Sequence, residues 1–127
     1  MPLVIGALEM AVMEHLWTSG SASVKGVYRA LGSRRGIKQN TVQSTMDRLY
    51  RKDLLERDKV SHAFVYRPAV SREELSTKVI GEVLETLAGG ETGVMLSAFA
   101  NLAQREGDEA LAELEKLITQ KRRGGSP

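Results

Sequence analysis

The sequence contains no cysteine among its 127 residues. This absence excludes disulfide frameworks, thiol catalysis, cysteine-ligated zinc and thiolate copper sensing. Aromatic residues make up only 5% of the chain, which argues against an RNA-binding surface that stacks unpaired bases. Long hydrophobic runs are also missing, because the longest uncharged segment, between Glu91 and Arg105, includes Gly93, Ser97 and Asn101. We therefore expect no membrane insertion, no secretory signal and a cytoplasmic location.

The net charge of +2 is unevenly distributed along the chain. Residues 1–70 carry 11 basic and six acidic side chains, a net charge of +5. Residues 71–127 carry seven basic and ten acidic side chains, a net charge of −3. The asymmetry favours a polyanion-binding part joined to a part with another task. On charge alone, two solvated surfaces of unequal sign explain it equally well.

Apolar residues in the first third of the chain recur at helical spacing. A stripe that begins at Leu8 predicts a first helix, which ends at Gly20. Ser23 is a suitable N-cap for a second short helix, which we predict to end at Gly32. Residues 33–36 are then expected to form a loop before the third helix.

The third helix is predicted from about residue 40 to Lys52, and its two faces differ in polarity. The expected inner face consists of Val42, Met46, Leu49 and Tyr50. The expected outer face is entirely polar and consists of Thr41, Gln43, Ser44, Asp47, Arg48 and Arg51.

After this helix the hydrophobic period changes from helix to strand. Two short strands are predicted over residues 54–57 and 63–67, with a turn over residues 58–62. Pro68 is expected to end the second strand, because proline cannot donate to the ladder. Three helices followed by a hairpin predict a mainly α fold with a small β-hairpin wing, the winged helix-turn-helix.

The remainder of the chain is predicted to be helical. Ser71 and Glu74 form a capping box, and two further amphipathic helices follow the Gly89-Gly90 break. About 50 residues of thin amphipathic helices bury too little surface to form a core alone, so we expect a homodimer. The predicted dimerisation residues are Leu75, Val79, Val83, Leu87, Val94, Phe99, Leu111, Leu114 and Ile118. The predicted organisation is a winged-helix domain over 1–70, a dimerisation region over 71–121 and a disordered tail over 122–127.

The polar third helix, flanked by a compact helical unit and a basic hairpin, suits the major groove of DNA. Residues near its start offer donors and acceptors to base edges, whereas the later cations lie nearer to phosphates. Arg57, Lys59, His62 and Arg67 lie on or beside the wing. The predicted contacts to double-stranded DNA are Lys38, Asn40, Thr41, Gln43, Ser44, Arg48, Arg51, Lys52, Lys59 and His62.

Five segments, in order and at the right spacing, resemble the penicillinase-repressor (BlaI/MecI) family of transcriptional regulators. The first segment combines Leu8-Glu9, Val12-Met13 and Leu16-Trp17, and the second is residues 24–27. The third combines residues 41–49 with Arg51-Lys52, the fourth is residues 66–68 (Tyr-Arg-Pro), and the fifth is residues 71–75. The resemblance implies a homodimeric repressor of a two-fold-symmetric operator, with Thr41, Gln43, Ser44 and Arg48 at DNA-contacting positions. Where the family usually has glycine after the Arg-Lys pair, this chain has Asp53, a residue that tolerates the left-handed conformation.

The resemblance also implies an inducing system, in which a membrane sensor protease leads to a cut at an Asn-Phe bond. The matching stretch here, residues 95–101, lacks that dipeptide, and the corresponding cleavage region is Ser97, Ala98 and Phe99. Copper-responsive relatives use a cysteine cluster, which this chain does not have.

The sequence predicts no enzyme, no metal site and no cofactor. His15 lies on an apolar stripe and is interpreted as a structural residue, and His62 has no partner at ligand spacing. The alternative to a repressor is a winged-helix module that binds another protein through charge complementarity. Steep salt dependence of duplex binding distinguishes the two, because only a DNA-binding protein releases counterions from phosphates.

Overall fold

The computed structural model describes residues 5–124, and the chain divides into two compact units, Met1–Gly81 and Glu82–Pro127. The boundary lies within a helix rather than at residue 70, where the sequence had suggested it. The reason is that Leu75 is buried in the core of the first unit, and Val79 packs against that core. Leu75 therefore does not belong to an exposed dimerisation stripe, which corrects that part of the prediction.

The first unit contains the predicted helices and a small sheet. Its helices are α1 (Ala7–Ser19), α2 (Val24–Val27), α3 (Ser33–Arg35), α4 (Gln39–Arg51) and the start of α5 (Arg72–Ala88). Its strands are β1 (Ala22–Ser23), β2 (Leu55–Val60) and β3 (Ala63–Pro68), in the antiparallel order β1-β3-β2. This arrangement is a winged helix-turn-helix, as predicted.

The second helical segment is longer than predicted. Ser23 caps it by accepting a hydrogen bond from the Gly26 amide at 3.1 Å, as expected. A π-helical turn over Tyr28–Gly32 then continues directly into α3, so residues 33–35 are helical rather than a loop. The segment ends at Gly36, whose φ of 67° is in the left-handed region that favours glycine. Gly32 is instead a packing residue, because a Cβ there would lie 2.5 Å from the Tyr28 ring.

The hairpin of β2 and β3, which we call the wing, has a shorter turn than predicted. Its register pairs Arg57 with Tyr66, Lys59 with Phe64 and Val60 with Ala63, which leaves a two-residue turn at 61–62. Residues 58–60, which the sequence suggested as turn, are therefore strand. Residues 58–60 are exposed at the wing tip, where polarity does not oppose strand pairing.

The core of the first unit lies between α1, α4 and the base of the wing. It includes Val12, Met13, Leu16, Val27, Val42, Met46, Leu49, Leu54, Leu55 and Tyr66. Tyr50 was expected on the inner face of α4 but is exposed, whereas Thr45 is fully buried. Thr45 fits there because its hydroxyl donates to the Thr41 carbonyl oxygen at 2.8 Å, so that its polar atom is satisfied.

The second unit consists of the end of α5, α6 (Thr92–Arg105) and α7 (Asp108–Arg123). Helix α7 includes Arg122 and Arg123, which corrects the prediction that the disordered tail begins at residue 122. Residues 125–127 of that predicted tail lie outside the described part of the chain. No helix within residues 5–124 is both long and apolar enough to cross a membrane.

Candidate nucleic-acid interface

Helix α4 presents a continuous polar face to solvent. Asn40, Thr41, Gln43 and Ser44 are exposed over its first turns, and Arg48 and Arg51 are exposed over its last. Lys38, the N-cap residue, is exposed and adopts an extended conformation with φ −74° and ψ 152°. Amide and hydroxyl groups thus precede cationic groups along one helix face.

The opposite face of α4 determines which residues are exposed. Val42, Thr45, Met46 and Leu49 each have a relative exposure of 0%. Rotation of the helix by one residue would bring a charged side chain, Asp47 or Arg48, into the core. Burying an unpaired polar group costs about 1–3 kcal/mol, and an unpaired charge costs more. The buried stripe therefore fixes the direction in which Gln43 and its neighbours point.

Local hydrogen bonds order two of the exposed side chains. The Ser44 hydroxyl donates to the Asn40 carbonyl oxygen at 3.0 Å, which leaves its oxygen lone pairs for a further partner. Arg48 Nη2 donates to Thr45 Oγ1 at 3.2 Å, so the guanidinium of this exposed side chain is held beside the helix.

Asp47 is the acidic residue on this face, and two arginines compensate it. Arg51 Nε lies 2.8 Å from Asp47 Oδ2, and Arg57 Nη1 lies 3.2 Å from Asp47 Oδ1. The hydrogen bond from Arg51, together with that from Arg57, holds the pKa of Asp47 below its usual value. The carboxylate is therefore ionised but electrostatically neutralised, which reduces its repulsion of an approaching polyanion.

The wing tip adds two further exposed groups. Lys59 lies on the wing face that also carries Arg57, Phe64 and Tyr66, because these residues alternate along paired strands. His62 occupies the second position of the exposed turn, after Ser61 with φ 57°. Lys59 and His62 thus add two exposed groups on the wing to the exposed cations of α4.

The polar face of α4 suits the major groove of a nucleic-acid duplex. A polar helix of this diameter enters the major groove of B-DNA, where amide and hydroxyl side chains meet base edges. Within residues 5–124, no three histidine or acidic side chains come together as a metal site would require. The exposed amide, hydroxyl and cationic side chains of α4 offer hydrogen bonds and charge for contact with a duplex.

Comparison with known proteins agrees with this geometry. The sequence model described as "Penicillinase repressor" matches residues 5–120 of this chain. The chain belongs to the penicillinase repressor family. Its members are regulators of transcription, and the fold and the polar face of α4 match that activity.

Several curated relatives of the penicillinase repressor family align over most of their length. The chain is 37% identical to "Transcriptional regulator BlaI" of Mycobacterium tuberculosis over 120 residues, which cover 87% of this chain and 85% of that protein. It is 23% identical to a "Penicillinase repressor" of Staphylococcus aureus, with 90% of each chain covered. It is 22% identical to "Methicillin resistance regulatory protein MecI" of Mammaliicoccus sciuri, with 92% and 94% covered.

Lys52, a residue predicted to bind DNA, is paired with a carboxylate on a different helix in this penicillinase repressor family member. Lys52 Nζ lies 2.9 Å from Glu9 Oε2, and the other carboxylate oxygen of Glu9 accepts the Gly6 amide at 3.1 Å. Burial raises the pKa of Glu9, but the hydrogen bonds from Lys52 and Gly6 outweigh it and hold the pKa below its ordinary value. Lys52 thus joins the end of α4 to the start of α1, and we leave it out of the proposed DNA contacts.

Sequence reasoning placed Arg57 on the wing but missed its contacts with α4. Its guanidinium lies 3.9 Å from the Tyr50 ring centroid and 4.1 Å from that of Phe64. The strand register identifies these contacts, since a two-residue turn places Arg57, Phe64 and Tyr66 on one face of the wing. The longer turn predicted from sequence obscured that alternation.

The second unit of this family member carries the other predicted sites. Val83, Leu87, Val94, Phe99 and Ile118 are exposed, whereas Leu111 and Leu114 are half-buried. The predicted cleavage residues lie inside α6, where Ser97 and Phe99 are exposed and Ala98 is half-buried.

Proposed function

We propose that this protein is a dimeric repressor that binds a two-fold-symmetric operator, with one α4 helix in the major groove of each half-site. The observation that carries the proposal is the polar face of α4, which the fully buried Val42, Thr45, Met46 and Leu49 direct outward. The related proteins named as repressors and regulators support it.

Within α4, the side chains divide into two proposed roles. Asn40, Thr41, Gln43 and Ser44 read bases, because side chains near the start of such a helix reach base edges. Lys38, Arg48 and Arg51, with Lys59 and His62 on the wing, contact phosphates and set the register on the duplex.

The dimer is proposed from the apolar surface of the second unit. Its exposed large hydrophobic residues are Val83, Leu87, Val94, Leu96, Phe99, Leu102, Leu117 and Ile118. An open, almost entirely apolar groove of about 420 Å³ lies between α6 and α7 and is lined by Phe99, Leu102, Leu114 and Leu117, among others. An apolar surface of this extent on a 46-residue unit is typical of an interface, and a second copy of the same surface covers it by two-fold symmetry.

The test of DNA binding uses a duplex that the protein itself enriches from a random-sequence pool, and a scrambled duplex of the same composition. Gln43→Ala is expected to cost about 1–3 kcal/mol on the enriched duplex and much less on the scrambled one. Arg48→Ala is expected to weaken both alike and to lower the slope of log K against log salt by about 0.9. Gln104→Ala, an exposed glutamine on α6, is the matched control.

Two outcomes would contradict the proposal. Equal losses on both duplexes would remove Gln43 from base reading. Duplex binding by the unmodified protein with little salt dependence would favour the alternative, a winged-helix module for another protein.

A repressor of this kind works on chromosomal DNA, which places it in the cytoplasm. Induction by a membrane sensor protease is part of the same proposal, and Ser97–Phe99 on α6 is the segment where a cut would separate α6 into two parts. The masses of the fragments in induced cells test this step.

A further inference from the structure

Arg57 connects the wing to α4 through its guanidinium, which lies close to two aromatic rings. Its Cζ lies 3.9 Å from the Tyr50 ring centroid, on α4, and 4.1 Å from the Phe64 ring centroid, on β3. Arginine stacks on aromatic faces in this way because its charge is delocalised and weakly hydrated. Phe64 in turn packs edge-to-face on Tyr66, with centroids 6.3 Å apart.

The edge of the same guanidinium is also occupied. Arg57 Nη1 donates to Asp47 Oδ1 at 3.2 Å, on α4, and to the Tyr66 hydroxyl at 3.4 Å, on β3. The Arg57 side chain is only 22% exposed. One side chain therefore has two partners on α4 and two on β3, and we call these five side chains the Arg57 cluster.

The Arg57 cluster lies where the wing leaves the core. Leu55 and Tyr66, at the base of the hairpin, are buried, whereas residues 58–64 beyond Arg57 are exposed. Lys59, two residues further along the same face, depends on the hairpin for its position. Without the Arg57 cluster, the exposed end of the wing has little packing against α4.

We infer that Arg57 is a positioning residue, which holds the wing against α4 so that Lys59 and the polar face of α4 engage one duplex together. The inference rests on the proposed DNA binding and adds to it a residue that itself contacts no DNA. A wing held in place in the free protein lowers the entropic cost of ordering it on the duplex.

The decisive variant is Arg57→Lys, which keeps the net charge. Lysine still neutralises a phosphate as a point charge, but it cannot contact both rings as a planar group while donating to Asp47 and Tyr66. We expect affinity for the enriched duplex to fall by roughly tenfold. The slope of log K against log salt should fall by about 0.9, because the phosphate contact of Lys59 is lost although the net charge is unchanged.

Two further variants separate positioning from local damage. Phe64→Leu removes one of the aromatic rings that contact Arg57 and changes no charged residue. It is expected to lower the duplex affinity and the salt slope as Arg57→Lys does. Arg67→Lys is the matched control, because Arg67 pairs with Glu56 and Asp58 within the hairpin and lies on the opposite wing face. It should leave affinity within about twofold.

A double-mutant cycle with Lys59 distinguishes positioning by Arg57 from a general structural defect. Lys59→Ala should weaken duplex binding in the unmodified protein but have little further effect in the Arg57→Lys background. Hydrogen exchange without DNA should be faster at the wing tip in Arg57→Lys and unchanged in α1. This measurement also establishes that the variant is folded.

Each result decides for or against the inference. Unchanged affinity in Arg57→Lys, or additive effects of Arg57→Lys and Lys59→Ala, would overturn it. Failure of the proposed function has a different signature, since the unmodified protein would then show no salt-dependent duplex binding. In that case unchanged exchange at the wing tip of Arg57→Lys would still refute positioning by Arg57.

Discussion

Replacing Leu75 with alanine tests whether the start of α5 belongs to the core of the first unit. Leu75 follows Ser71 by four residues, on a helix that the sequence assigned to dimerisation, yet it is 3% exposed and belongs to the core of the first unit. Leu75→Ala is therefore expected to destabilise the DNA-binding unit itself. Leu87, on the same helix, is 76% exposed and is the control position.

The magnitude follows from the carbon atoms removed. Leucine to alanine removes three carbons, worth about 0.8 kcal/mol each when buried, or about 2.4 kcal/mol. The cavity left behind adds to this, so we expect a loss of about 3–4 kcal/mol in the free energy of unfolding. Leu87 is about one quarter buried. The same reasoning gives about 0.6 kcal/mol for Leu87→Ala in a monomer.

The assay is denaturant unfolding followed by tryptophan fluorescence at several protein concentrations. Trp17 is the single tryptophan of the chain and reports on the first unit, where its Nε1 donates to the Val70 carbonyl oxygen at 2.8 Å. The loss for Leu75→Ala should not depend on protein concentration. The smaller loss for Leu87→Ala should depend on it, because dimerisation makes stability depend on concentration.

A loss below about 1 kcal/mol for Leu75→Ala, similar to that for Leu87→Ala, would refute the reasoning, because a buried leucine of the core costs more. It would place the start of α5 outside the core. A strongly concentration-dependent loss for Leu75→Ala would return this residue to the proposed dimer interface.

Three further predictions concern packing, pH and assembly. Gly32→Ala should lower the melting temperature, because its Cβ would lie 2.5 Å from a ring carbon of Tyr28, and overpacking costs about 1–3 kcal/mol. Gly81→Ala is the control and should raise the melting temperature, because a Cβ at residue 81 meets open space. Glu9→Gln should cost about 1–2 kcal/mol in urea unfolding at pH 7. Because the pKa of Glu9 is lowered in the folded protein, its contribution is present above the ordinary 4.5 and is lost as the pH falls through the lowered value, so the two proteins should converge below that value. Ile118→Asp should give a monomeric mass by light scattering at micromolar concentration. Thr119→Asp, at the next exposed residue, is the control and should keep the dimeric mass. A dimeric mass for Ile118→Asp would count against the interface.

The predicted DNA-reading face agrees with the exposed face of α4, because helical periodicity depends only on spacing along the chain. Gln43 and Arg48 point outward since Val42, Met46 and Leu49 are apolar. Tyr50 was placed inside by the same periodicity, but its ring stacks on Arg57 at the surface. An aromatic ring is stable in either environment, so its position depends on what the wing brings beside it.

Local chemistry determined the elements whose signals lie within a few residues. Ser71 and Glu74 form the predicted capping box, with hydrogen bonds of 2.9 and 3.0 Å. Asp53 adopts the left-handed conformation expected after the third helix, with φ 64°. These features follow from sequence because each involves groups no more than four residues apart.

Tertiary structure alone decided the features that join distant segments. The register of β2 with β3, the Glu9–Lys52 ion pair and the contacts of Arg57 with Asp47 each bring together residues that no local pattern connects. Burial of Leu75 likewise depends on packing against elements formed much earlier in the chain. Periodicity indicates that a face is apolar, but it does not say which surface covers that face, and for this reason the end of the first unit became visible only in three dimensions.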